Sequence, residues 1–462
     1  MEQIERIRKK LKEAKIADKK LGVFGACNHK YIVNEPVTGA ELTAFEQRYG
    51  VILPACYKSF LLHIGNGGYS YFDSSAGPFY GIYPLGKGAD ELVLEPEKYL
   101  QQQCILHPEM QKEEWNMLCR TINETENISD EDYEAELGKI YSGVLPIGSQ
   151  GCTYIHAIVL TGPYAGKVVN LDLDRQHPKF TYENNFLDWY ERWLDEVISG
   201  DLIKDTPSWF GYSIGGTDKI LLERFFSTTN EKNKLDCLKG ILSKSKIQPV
   251  TINTIEGVYP ESAGEIRRIL LELLTKFAYV KAKPFLVDYI SIDIAHVFQC
   301  VFTYAKERSA EWRPIIEANM ALINDPEAFR FCAYLLIEMK FDFGPLILPF
   351  ITFDDRDIKV TAFYALGTLS NKRQYVDAFI TGLHDKSNKV VHAALQALEN
   401  VKDRKLIAHY RDLADRFPVE QDFVLVNLQL RLKEYGLTLD SLRTPQDIYL
   451  EQPSKKWFQF WK

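Results

Sequence analysis

The apolar positions of the first 200 residues alternate between helical and strand spacing. The opening stretch MEQIERIRKKLKEAKIADKK sets Ile4, Ile7, Leu11 and Ala14 at intervals of three and four, the stripe of an amphipathic helix. Residues 45–68, FEQRYGVILPACYKSFLLHIGNGG, predict a short amphipathic helix, a Leu-Pro turn, a second apolar helix and a glycine stop. Phe45 and Tyr49 are four apart on one face. Pro54 suits the first turn of the second helix, where its missing N–H costs nothing, and Gly65 suits the helix end. The uncharged run from Ile140 to Gly166 is cut by Pro146, Pro163 and five glycines into strand-sized pieces, so it does not read as a membrane span. VVNLDLD (168–174) alternates like a strand. FLDWYERWLDE (186–196) returns to helical spacing, with Trp189 and Trp193 on one face. That face most simply docks the helix on a sheet, and otherwise offers Trp189, Tyr190 and Trp193 as aromatic anchors for a partner.

Residues 201–219, DLIKDTPSWFGYSIGGTDK, are rich in turn formers and follow neither period, which predicts a boundary. Beyond it the pattern is helical alone, and a shift of 32 residues aligns Ile358 with Val390, Ala362 with Ala394, Ala365 with Ala397, Leu366 with Leu398 and Leu369 with Val401. A weaker copy sets Ala333 against Ala365 and Ile337 against Leu369. Small alanines at helix contacts, aliphatics three or four apart and a nearby Asp, as in DDRDIKVTAFYALGTL, resemble HEAT-like repeats, whose faces are buried only by stacking. The expected organisation is an α+β domain over 1–205, a linker over 206–217, an all-α HEAT-like solenoid over 218–437 and a C-terminal cap or tail over 438–462.

The 45–68 segment resembles the signature of the SUKH superfamily, bacterial immunity proteins that include the fungal Smi/Knr regulators of cell-wall synthesis. More of that pattern follows in order: GPFYGIYPLG (77–86), the run GVLPIGSQGCTYIHAIVLTGPYAGKVVNLD (143–172) and FLDWYERWLDE. FGACNHKYIVNEPVTGAELTAFE (24–46) precedes it. The resemblance covers roughly the first 200 residues, and 87–142 is longer and more acidic than it implies. It implies a fold that binds rather than a catalyst, acting on a nuclease-type bacterial toxin domain as a protein partner. A regulatory scaffold of the fungal kind is the alternative.

Composition narrows the class. A chain of 462 residues, 46% hydrophobic and 26% charged, is long enough for two or three cores. Eight scattered cysteines form no C-x-x-C pair, which fits reduced thiols better than a zinc site or a disulfide frame. The charged N-terminus lacks an apolar export core, so a cytoplasmic location is expected. Residues 1–200 hold 20 Lys/Arg against 29 Asp/Glu, while the remainder is nearly neutral. The densest acidity is residues 109–136, either a solvated surface insertion or a surface that steers a basic partner. An acidic chain without a lysine stripe argues against nucleic acid. The tail PSKKWFQFWK is either a sticky patch or a cap on the last apolar face.

No motif assembles a catalyst. GNGG (65–68) follows a helix, at its negative end, whereas phosphate cradles use a helix N-terminus. Gly211-Tyr212-Ser213-Ile214-Gly215 matches G-x-S-x-G but lacks the strand and the later acid and histidine that a nucleophile elbow needs. Asp172 and Asp174 point to one side of a strand and have only His177 and Glu183 as further metal ligands; two acids at a strand end meeting water is the plainer reading. His29, His63 and His156 lie in the family-like segments and read as structural, and His384, His392 and His409 fall on the repeats. The expectation is therefore no enzyme, no cofactor, no metal and no membrane. Partner contact is expected at the aromatic loop Tyr69, Tyr71 and Phe72 and at the acidic group Glu131, Asp132, Glu134 and Glu136.

Overall fold

A computed structural model describes residues 2–203, 210–417 and 422–443. Its first compact unit, Met1–Ile269, is built on a four-stranded antiparallel meander of order β1-β2-β3-β4, comprising Val144–Gly151 (β1), Tyr154–Val159 (β2), Val168–Asp172 (β3) and Lys179–Phe180 (β4). Pairs such as Ile155 with Leu171 and Ala157 with Val169 fix the register of β2 on β3. β1 is irregular after Pro146 and after Ser149. The segment 80–83 runs beside its outer edge, where Tyr80 N–H donates to Ser149 C=O (3.2 Å) and Tyr83 N–H to Ile147 C=O (2.8 Å). This occupies backbone groups that an open edge would offer to another strand.

Strand periodicity divides the sheet's side chains between two cores. One face sends Leu145, Ile147, Ile158 and Val168 into a core shared with the helices Glu2–Ala17, Gly39–Tyr49, Ala55–His63 and Phe186–Ser199. Phe45 and Tyr49 meet with ring centroids 4.7 Å apart, and Trp189, Tyr190 and Trp193 are all buried here. The 39–49 helix begins with a capping box: Thr38 Oγ1 accepts from Glu41 N–H, and the Glu41 carboxylate accepts from Thr38 N–H (2.7 Å).

The opposite face sends Val144, Ile155, Ala157, Val159, Val169 and Leu171 into a second core, closed by Leu92, Val93, Tyr99, Leu106, Met110, Trp115, Cys119, Ile122, Ile140 and Tyr141. The acidic stretch 109–136 is therefore not merely a solvated insertion. Its helices Lys112–Leu118, Arg120–Glu124 and Asp130–Ile140 turn charge outward and bury Trp115, Ile122 and Ile140 beneath. Counting charge conceals that one-sidedness, because a few large apolar residues are enough to cover a short sheet.

Compactness divides the chain at Ile269/Leu270, later than the linker expected at 206–217. The helices Asp218–Ser227, Glu231–Leu242 and Pro249–Val258 thus count with the first unit. A physical reason lies in the buried Lys244 ammonium, 3.2 Å from Asp201, and in Ser245 N–H, which donates to the same carboxylate at 2.9 Å.

The helical run Gly264–Ala305 departs from helical geometry at Ala278 and Asp293. By length and composition alone, Gly264–Leu322 is apolar enough to cross a membrane, and 44% of its most apolar window is buried inside the protein. Residues 141–166, in contrast, are two strands and their turns. In the second unit the helices Pro326–Glu338, Arg356–Thr368, Asn388–Ala397 and Asp422–Glu434 succeed one another at about the expected interval. The ten aligned positions of the 32-residue shift, Ile358, Ala362, Ala365, Leu366 and Leu369 with their counterparts Val390, Ala394, Ala397, Leu398 and Val401, are all buried. The described remainder is thus helical, as the pattern predicts. The expected cap or tail lies outside the described residues from 444 onward, and the whole of PSKKWFQFWK with it.

Candidate partner-binding surface

The 55–63 helix ends with Ile64 N–H and Gly65 N–H both donating to Phe60 C=O. The chain then threads a narrow gap. A Cβ on Gly65 would lie 2.1 Å from Asn34 O, and one on Gly68 would lie 2.4 Å from Ser74 O. Asn34 N–H donates to Gly67 C=O (3.1 Å), and the Asn66 side chain accepts from Leu85 N–H (2.7 Å). The glycines of GNGG are therefore required by close backbone approach, and Gly65 N–H and Gly68 N–H donate to the Phe60 and Asp73 carbonyls rather than to an anion. The turn presents the next residues outward. Tyr69 is 75% exposed and Tyr71 59% exposed, the latter with its ring 5.9 Å from Tyr80. Phe72 lies in the same turn, and its side chain is outside the described residues.

Of the acidic group, Glu131 and Asp132 are exposed, while Glu134 and Glu136 are half-buried. Ser129 caps the helix by accepting from Asp132 N–H (3.1 Å), and Glu136 pairs with Lys139. Asp130, Glu131 and Asp132 occupy the first turn, where the helix dipole favours negative charge, so part of their role is local. The two predicted sets are not brought together. The aromatic turn follows a helix of the first core, whereas the acidic helix covers the second, on the other face of the sheet.

The remaining candidates resolve into structural roles. Asp172 is buried and accepts from Asp174 N–H (3.1 Å), an Asx turn rather than a shared metal, and His177 Nε2 approaches Met110 O at 3.0 Å. Ser213 sits in a loop that follows no described strand, and Tyr212 of that loop donates to the Gln150 side chain (2.9 Å). His156 is buried between Phe79 and Trp189, with Nδ1 2.9 Å from Asn170 Oδ1. Burial lowers its pKa to about 3, a shift that the Asn170 hydrogen bond opposes. His29 is also buried, its Nδ1 accepting from Tyr31 N–H, and burial brings it to about 4 against an opposing pull from Asp18. Neutral, enclosed imidazoles of this kind pack and orient.

Sequence reasoning missed the long-range ion pairs. Arg6, Lys10 and Gln3 all donate to Glu191, fastening the N-terminal helix to the 186–199 helix. Burial raises the Glu191 carboxyl, but those donors outweigh it and hold the pKa at about 2. Asp18 accepts from Gly22 N–H, Val23 N–H and Tyr31 O–H. A cleft of about 630 Å³ is lined by Glu183, Arg192, Glu196, Asp201 and Lys244, whose charges pair with one another and leave little for a ligand. Arg192 and Glu196 are one helical turn apart, but no local signal marks the pairs of Glu191 with Arg6 and Lys10 or of Lys244 with Asp201, whose partners lie far apart in the chain.

This architecture agrees with a family comparison. Residues 36–192 match the SMI1 / KNR4 family (SUKH-1). The match supports a SUKH-type domain over those residues. The match takes in the 39–49 and 55–63 helices, the GNGG turn, the sheet and the start of the 186–199 helix; it leaves out residues 24–35 of the FGACNHKYIVNEPVTGAELTAFE motif. A probable Rho-GTPase-activating protein 9 of Schizosaccharomyces pombe is 29% identical over 112 residues, 22% of this chain and 17% of that protein's length. Among solved structures, the complex of CpcE and CpcF of phycocyanin lyase from Nostoc sp. PCC7120 covers 47% of this chain and 95% of its own at 14% identity. Its TM-score of 0.28 is too low to support an argument about fold or function.

Proposed function

We propose that this chain is a non-catalytic binding protein, an immunity protein that neutralises a cognate nuclease-type toxin domain by direct contact in the cytoplasm. The observation that carries the reading is the SUKH-type domain over residues 36–192. The acidic balance of residues 1–200 supports it, since toxins that handle nucleic acid are commonly basic and complementary charge accelerates encounter. Exposed Tyr69 and Tyr71 are the anchors we assign to tight contact, with Phe72 beside them, and Glu131, Asp132, Glu134 and Glu136 the steering charges. The buried 32-residue repeat supports a HEAT-like solenoid for the helical remainder, acting as a second binding module without cofactor, nucleic acid or membrane.

The test is co-expression with the toxin domain encoded beside its gene. Restored growth, together with a one-to-one complex on gel filtration, is the expected outcome. A toxin that kills equally with or without this chain, or neighbouring genes confined to envelope synthesis, would overturn the immunity reading.

A further inference from the structure

The helices Val376–Leu383 and Lys405–Arg416 lie side by side and bring together two histidines that are 25 residues apart. His384 stands at the C-terminal end of the first helix, and His409 lies within the second. Their neighbours Leu383, Leu406, Tyr410 and Leu413 are buried, which fixes the backbone positions from which both rings project. The rings are nearly perpendicular, and His384 Nε2 is 2.8 Å from His409 Nδ1. Asp412 follows His409 by three residues, one turn on along the same face. One donor atom from each of the three lies within 4.8 Å of the others.

We propose that His384, His409 and Asp412 form a surface site for a divalent transition-metal ion of the Zn²⁺ class. Two imidazole nitrogens bound at about 2.0–2.1 Å to one ion stand roughly 2.9–3.4 Å apart at octahedral to tetrahedral angles. The two nitrogens are thus within a few tenths of an ångström of a ligating separation, and a small rotation of either exposed ring opens it. Imidazole with carboxylate selects Zn²⁺, Ni²⁺, Co²⁺ or Cu²⁺ over Ca²⁺ and Mg²⁺, which take oxygen ligands. The proton balance is simple. In the unbound pair one nitrogen carries the hydrogen it shares with the other; on metal binding that hydrogen moves to the opposite nitrogen of its own ring, leaving both facing lone pairs for the ion. Asp412 supplies a third ligand and water completes the shell. The ion would staple two helices of the second unit that the helix Asn388–Ala397 separates in the chain.

Metal-stripped full-length protein is titrated with Co²⁺, followed by its visible absorption bands, and with Zn²⁺ by calorimetry. One ion per chain with micromolar affinity is expected. His384→Ala and His409→Ala each weaken binding by about 10-fold or more, and Asp412→Asn does so less. The double variant Cys27→Ser/Cys152→Ser, which removes the exposed thiols, leaves binding unchanged. His384 is exposed and His409 half-buried, so circular dichroism should show both variants folded. The absence of saturable Co²⁺ or Zn²⁺ binding below about 1 mM, or wild-type affinity in both histidine variants, overturns the site.

Discussion

Trp115→Ala tests whether the acidic insertion is part of the domain's core. Trp115 is 2% exposed, its indole N–H donates to Arg175 C=O at 2.9 Å, and its ring faces Tyr141 at 6.2 Å. Truncation returns on the order of 150–200 Å² of apolar burial, about 4–5 kcal/mol at roughly 25 cal/mol per Å². The lost hydrogen bond adds about 1 kcal/mol, and partial collapse of the cavity recovers some of the total. The expected loss is therefore about 4 kcal/mol, a large share of the roughly 5–15 kcal/mol that holds a domain. Trp115→Phe keeps most of the volume and loses the donor, so about 1–2 kcal/mol is expected. Glu113→Gln/Glu114→Gln, on the exposed side of the same helix, should stay within about 0.5 kcal/mol. Urea unfolding of the full chain, followed by far-ultraviolet circular dichroism, reads the effect on the transition of the first unit, since a two-unit chain need not unfold in one step. A loss below about 1 kcal/mol for Trp115→Ala would mean that residues 92–141 decorate the sheet instead of completing it.

Gly138→Ala gains about 1 kcal/mol of helix propensity, yet its Cβ would fall 2.2 Å from the buried Tyr99 ring, so a net loss of about 1–3 kcal/mol is expected by thermal melting; a raised melting temperature would contradict the packing. His29 and His156 titrate near 4 and 3 in the folded chain against about 6.5 unfolded, so between those values the unfolded state binds more protons and stability falls with falling pH. The slope is up to about 1.4 kcal/mol per pH unit for each histidine, and unfolding midpoints that do not move between pH 7 and 5 would show that the imidazoles reach water when folded. Neutralising Glu131, Asp132, Glu134 and Glu136 to amides should slow association with a basic toxin domain and flatten its salt dependence, whereas Tyr69→Ala/Tyr71→Ala should accelerate dissociation. Surface plasmon resonance separates the two, and rates unmoved by both sets would put the contact elsewhere.

Local periodicity carried the helices, because the pairs concerned are three or four residues apart: Phe45 with Tyr49, Trp189 with Trp193, Ile358 through Leu369. Those contacts exist as soon as the helix does. The GNGG turn was legible for a similar reason, since glycines after an apolar helix announce a stop, although only the fold shows that Asn34 and Ser74 leave no room for a Cβ. Tertiary structure alone decided which face of a charged segment is buried: Trp115, Ile122 and Ile140 are sparse among acids and acquire meaning only under the second face of the sheet. It also decided the charge pairs of Glu191 with Arg6 and Lys10, and the meeting of His384 with His409. In each case the partners sit on different helices, and chain spacing carries no record of which helices will pack.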